Sequence, residues 1–278
     1  MSDRPTRRER YEHARRRRSV VIAAVSTIVV VGALLILIPM SPGWARVRQA
    51  FFDGDVFVES FPKLLDAFWL DVKILLWSIP PIIIVSLLVA LARNTRSAAL
   101  FPVRAFAVIY TDVLRGIPVI LLVYLIGFGV PALGLSRTWA NPLIWGTVTL
   151  VLSYSAYTAE IIRAGIDAVH ESQRAGARSL GMTSSQTMRV IVLPQAFRKV
   201  VPPMMNTFVS LQKDVALVSL IGPVEILRQA GIDKATYANF TPYVAASLIF
   251  LAMTIPCTRL ADWALARQRT RTGATTIA

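Results

Sequence analysis

From Ser19 to Met40 the chain carries no charged residue, and further apolar runs follow at 71–92, 100–130, 142–162, 202–221 and 243–265. A helix needs about 20 apolar residues to cross the roughly 30 Å hydrocarbon core of a bilayer. Within such a core every backbone N–H and C=O must be satisfied inside the protein, which leaves helices as the spanning element for runs of this length. The expectation is therefore an all-α membrane protein with about six transmembrane helices. Composition agrees: 55% of the 278 residues are hydrophobic and mean hydropathy is +0.56. The single cysteine, Cys257, lies in an apolar run, where a buried inert thiol is the plain reading.

The formal net charge is +14. In a soluble chain that would suggest nucleic acid. Here the arginines cluster just outside the apolar runs, and the excess of Lys and Arg on the cytoplasmic side of membrane proteins explains them with no nucleic-acid partner. Residues 1–18 hold eight arginines. Segments 93–104 and 163–199 and the tail 266–278 are basic as well. With six spans, all four fall on one face, and both termini are predicted to be cytoplasmic. The N-terminal run exceeds a signal-peptide core of about 7–15 residues and no cleavage site follows, so it reads as a retained first span.

In order, the chain is expected to have a disordered basic tail (1–18), a first span (19–40) and an extracytoplasmic segment (41–70). A core follows at 71–265, with a cytoplasmic loop at 163–199, and a cytoplasmic tail ends the chain. The aromatics of 41–70 fit either an interfacial helix or packing against other spans. Pro80-Pro81 is expected to kink the second span, and Arg115-Gly116-Ile117-Pro118 to break the third. In the loop, Gln173–Leu180 reads as a short helix with Ala175, Ala177 and Leu180 on one apolar face and Arg174 and Arg178 elsewhere. Gly181 suits a C-terminal stop. Ser184 and Ser185 can start a second helix, which Leu193-Pro194 is expected to end. A short helix, a glycine turn and a second helix make a knob outside the membrane that suits a groove on another protein.

The spacing is distinctive. Three residues separate Ala177 from Gly181, nine separate Gly181 from Ile191, and Leu193-Pro194 follows. This resembles the EAA loop of ATP-binding-cassette (ABC) importer permeases. Tyr110–Pro118, Ser155–Gly165, Leu193–Arg198 and Leu211–Asp214 resemble the polar amino-acid branch of that family. The likeness spans about residues 64–265. The sequence departs from the pattern where Glu-Ala-Ala reads Ala175-Gly176-Ala177 and where Lys-Asp-Thr-Ser reads Lys213-Asp214-Val215-Ala216.

The resemblance implies a type I ABC importer permease fold in a prokaryotic cell membrane. It implies two ATPase subunits docked on the 170–194 loops of two permease subunits, through Gln173, Arg174, Ala175, Gly176, Ala177, Arg178, Leu180, Gly181, Leu193 and Pro194. It also implies a second permease subunit, an extracytoplasmic solute-binding protein and a small polar amino acid as cargo. None of the five lysines follows a glycine, so the phosphate-cradling Gly-x4-Gly-Lys-Ser/Thr loop is absent. ATP and Mg²⁺ would then belong to the partner, with no cofactor on this chain. His13 and His170 are far apart and suggest no metal site; no catalytic constellation stands out. Charge inside a span is expensive, which makes Arg115, Glu160, Lys213 and Asp214 the pathway candidates. Glu160 is also placed to pair with Arg163 three residues on. Lys213 and Asp214 either neutralise each other or line a wet cavity. The alternative function, a standalone secondary transporter or channel, needs ion-coupling residues in the spans, and few exist beyond these.

Overall fold

The computed structural model describes residues 7–95 and 97–271; the expectations for the extreme N- and C-terminal residues lie outside it. The chain divides into two compact units, Met1–Asp53 and Gly54–Ala278.

The first unit holds α1 (Arg7–Leu37) and α2 (Trp44–Phe51). The large apolar side chains of α1 are exposed around the helix, Ile28 and Leu35 at 70% each, as in a helix that meets lipid on every side. The basic segment expected to be disordered is helical from Arg7 onward, continuous with the span.

The second unit starts with α3 (Gly54–Asn94), a helix of 41 residues. The segment expected to end at residue 70 is thus cut in two, and its second part belongs to α3. Packing is the reason. Leu64 is fully buried, and Phe57, Phe61 and Phe68 lie against a cluster of Leu64, Ile226, Ala230, Ala245, Ala246 and Ile249. Pro62, Pro80 and Pro81 all lie within this helix. Then come α4 (Phe101–Gly116) and α5 (Val119–Gly129), set 109° apart at the expected Gly116–Pro118 break. A helix of 26 residues, α6 (Pro142–Asp167), follows.

The loop carries α7 (Glu171–Ser179) and α8 (Ser184–Gln186), then a π turn (Thr187–Val192) that runs straight into α9 (Leu193–Asp214). Leu193-Pro194 therefore opens a helix; it does not end one. Proline is tolerated there because the π turn just before it adjusts the backbone around the missing N–H. A 3₁₀ stretch (Val215–Ile221) extends α9, a break at residues 222–225 turns the chain by 54° into α10 (Ile226–Tyr237), which makes the outer connection helical, and α11 (Thr241–Arg271) closes the unit.

Among the described residues, three stretches are long and apolar enough to cross a membrane, Arg18–Leu37, Trp44–Asn94 and Thr241–Trp263, and each bent pair adds one more if it counts as one span. The sixth expected span, α6, has the length but is more polar, because it sits in the middle. It packs on α3, α4, α5 and α9. Its small polar residues Thr149, Ser153, Ser155 and Thr158 are buried, and small residues let helix backbones approach closely. Thr149 donates to the carbonyl of Trp145 at 2.7 Å, a bond that stays within the helix. The main apolar core joins Ile74, Leu75 and Ile82 of α3 to Leu150 and Tyr154 of α6, Leu211 of α9, Val215 and Val218. At the outer bend Glu225 is fully buried and caps α10, accepting from the amides of Leu227 (2.9 Å) and Arg228 (2.8 Å). Asp71 of α3 accepts from the next free amide, Ile226, at 3.2 Å.

Gly146 shows how tight the centre is. A Cβ there would stand 2.6 Å from Cγ1 of Val218. Gly146→Leu is expected to destabilise the fold by about 1–3 kcal/mol through overpacking, read as a lower midpoint in detergent unfolding.

Candidate functional site

The loop helix α7 is capped at both ends. His170 Nδ1 accepts from the Ser172 amide at 3.2 Å, giving an exposed histidine a structural role. At the other end the amides of Gly181 and Met182 donate to the carbonyls of Arg178 (2.9 Å) and Ala177 (3.1 Å). That paired arrangement needs a left-handed residue, and Gly181 supplies it at φ 75°. Thr183 and Gln186 then form a reciprocal capping box that starts α8.

The knob is tied to both neighbouring helices. Arg174 donates to the Ile166 carbonyl at the end of α6 (2.8 Å), and Gln195 of α9 donates to the Gln173 side chain at 3.5 Å; Lys199 of α9 also donates to the carbonyl of Ala168, the residue that follows α6. Beneath it, Ile166, Val169, Val192 and Ala196 form a small apolar cluster. Only part of the expected apolar face turns inward. Ala177 is buried, whereas Ala175 is exposed and Leu180 is 83% exposed, because Leu180 lies past the last helical turn. Gln173, Gly176 and Arg178 are exposed too, and a Cβ on Gly176 would meet nothing within 4 Å. Of the remaining loop candidates, Leu193 and Pro194 are exposed at the start of α9.

The structure brings the span candidates into two places. Glu160 pairs with Arg163 as expected, at 2.5 Å, and also with Arg93 at the end of α3 (2.8 Å) and Arg115 at the end of α4 (3.8 Å). Arg163 bridges on to Asp167 at 2.6 Å. One carboxylate thus joins three helices. Arg93 also donates to the Thr111 hydroxyl at 2.6 Å. In the sequence Arg93 looks only like the end of a span, and no local spacing links it to a residue 67 positions away.

The second place is a cavity of about 310 Å³ lined by Val119, Tyr154, Tyr157, Asn206, Ser210 and Asp214, among others. Asp214 accepts from the Tyr154 hydroxyl at 2.8 Å, while Lys213 is exposed and does not pair with it. Arg115 lies 5.8 Å from the ring centroid of Tyr157, so the two places adjoin through that tyrosine. On its other side Tyr154 faces a more apolar cavity of about 340 Å³ with Ile82, Met205 and Phe208. Among the described residues no cluster of His, Cys, Asp or Glu could hold a metal ion.

A bent apolar core with a polar knob between two of its helices describes a helical membrane subunit. The chain belongs to the family of binding-protein-dependent transport system inner membrane components, which matches residues 56–270. It is a multi-pass membrane protein and the permease component of an ABC importer.

Among its relatives is the probable glutamine ABC transporter permease protein GlnM of Bacillus subtilis (strain 168), 31% identical over 202 residues, covering 72% of this chain and 91% of that protein. The glutamate/aspartate import permease protein GltK of Escherichia coli O157:H7 is 36% identical over 207 residues, covering 69% and 91%. A crystal structure of an amino acid ABC transporter with histidines aligns with a TM-score of 0.71 at 32% identity, covering 77% of this chain and 98% of that one. The MetNI methionine ABC transporter, in an inward-facing conformation, shares the fold at a TM-score of 0.56 and 18% identity, covering 74% and 95%.

The Glu160 cluster generates a test. Its side chain and that of Arg93 are 19% and 14% exposed, so removing one leaves the other largely desolvated and unpaired. A double-mutant cycle of Arg93→Met and Glu160→Gln is expected to give a coupling energy of about 0.5–3 kcal/mol, measured from unfolding of the purified chain in mixed micelles. A value of zero would strip the pair of any structural role.

Proposed function

We propose that this permease imports a polar amino acid, with a separate ATPase docked on α7 and its flanking turns, and a second ATPase on the same loop of a second permease subunit. Both termini face the cytoplasm in this reading. A second permease subunit, identical or related, completes the pathway, and an extracytoplasmic solute-binding protein delivers the cargo. ATP and Mg²⁺ are held by the ATPase, and this chain binds no cofactor. The observation that carries the reading is the construction of the knob. It is exposed, capped at both ends and anchored to α6 through Arg174 and to α9 through Gln173 and Gln195, and α6 and α9 also wall the cavity at Asp214. A push on α7 is thereby delivered to the helices that line the pathway.

Coupling requires different contacts at the knob in two states, and closure of the ATPases against α7 is the step that would supply them. In the cavity, Asp214 offers the carboxylate and Tyr154 and Tyr157 the aromatic wall for the ammonium end of a zwitterion. The names of GlnM and GltK support an amino-acid cargo.

Leu180→Asp changes only an exposed side chain and is expected to leave the chain folded while abolishing ATP-driven uptake in proteoliposomes with the partner subunits. Uptake at the wild-type rate would refute docking at α7. Uptake without any ATPase would favour a standalone transporter. Asp214→Asn is expected to lower uptake about tenfold or more, the value of one hydrogen bond to a charged group, with ATPase docking intact in co-purification.

A further inference from the structure

Behind α7, on the side turned toward the π turn, lies a polar cleft of about 290 Å³. Asn94, Glu171, Arg174, Arg178, Ser184 and Thr187 line it, over Met188 and Val192. All but one of the polar groups can donate: two guanidinium groups, a carboxamide and two hydroxyls. The exception is Glu171. Its carboxylate lies 3.1 Å from Arg178 and 4.0 Å from Arg174, and its side chain is 71% exposed. Thr187 supplies an independent observation. Its residue is 6% exposed, and its hydroxyl oxygen is buried without a hydrogen-bond partner. A buried hydroxyl left unpaired in a protein interior is costly. Thr187 also opens the π turn, and such turns are frequent at functional sites.

We infer that this cleft binds a phosphate group, held by Arg174, Arg178 and the Thr187 hydroxyl, with Glu171 as the resident carboxylate that it displaces. Guanidinium forks match the spacing of phosphate oxygens, and Arg178 gives up only an exposed ion pair to the incoming anion. The cleft has room for a phosphate and several waters, each taking about 30 Å³. Asn94 is the last residue of α3, so the cleft opens where a span-length helix ends. A phospholipid headgroup and free inorganic phosphate are the two sources of that chemistry. In either case the bound group ties α7 to the π turn, and so sets the stiffness of the knob that α7 presents.

The inference does not depend on docking at α7, and its readout is independent of transport. The purified full chain is titrated with inorganic phosphate in phosphate-free detergent. In parallel it is placed in nanodiscs of phosphatidylcholine alone or with phosphatidylglycerol. Hydrogen exchange of the amides in residues 171–192 is followed throughout. Added protection from phosphate assigns the free anion, and protection confined to phosphatidylglycerol discs assigns the headgroup; both support the site. Arg174→Gln with Arg178→Gln is expected to weaken the response at least about tenfold, Thr187→Val to weaken it severalfold and Glu171→Gln to tighten it. No protection under either condition overturns the inference, as does an unchanged response in the double variant. If the double variant fails to fold, the exposed Glu171→Gln substitution decides: a response no tighter than wild type also overturns it.

Discussion

The second unit depends on a polar helix placed where lipid does not reach. Helix α6 carries serine, threonine, tyrosine and glutamate through the centre of an apolar assembly, and α3, α4, α5 and α9 cover it. Lipid tails are as apolar as leucine, so hydrophobicity does little to drive helices together in a membrane. Close packing and interhelical polar contacts do that work. Both are concentrated on α6. Gly146 and Gly165 accept Val218 and Val200 against the helix backbone, and Glu160 gathers three arginines at its end. Without that helix, α3 and α9 would share little contact.

The same helix connects the knob outside the apolar core to the cavity at Asp214. Three residues separate the end of α6 from α7 (Ala168, Val169 and His170), and the carbonyls of Ile166 and Ala168 are held by Arg174 and Lys199. The Arg174 bond joins the knob to the end of α6, and the Lys199 bond joins that same end to α9. Both helices wall the cavity at Asp214, and α6 also holds the carboxylate on which Arg93 and Arg115 converge.

Much of this is legible in the sequence, and the parts that are not share a cause. The apolar runs, the Gly116–Pro118 break and the left-handed Gly181 are local: the residue that dictates the geometry sits at the geometry. The Glu160–Arg163 pair is local as well, being three residues apart on a helix. What escaped reading was set by distant partners. Phe57, Phe61 and Phe68 fit an interfacial helix or packing equally well until α10 and α11 supply the surface they pack against. Arg93 looks like a topology marker until α6 brings Glu160 to it. Leu193-Pro194 looks like a helix end because proline breaks more helices than it starts; here the π turn before it absorbs the misfit and the rod continues. The loop candidates came from motif spacing and Asp214 from the cost of a charge inside a span; both place residues in order along the chain but not around a cavity.

That π turn has a geometric consequence. From Ser184 to Asp214 the chain is one uninterrupted helical rod, and six of its residues form a widened turn. A π turn of this kind amounts to one residue more than the α-helical repeat requires, and at 3.6 residues per turn one residue is worth about 100° of rotation. The turn is therefore a phase shifter. It fixes the azimuth at which the loop end of the rod faces α7, given the azimuth at which the membrane end faces α6. Removing a single residue between Thr187 and Val192 would leave both ends helical and the rod nearly as long. It would nonetheless turn the loop end about a quarter of a revolution away from its present bearing.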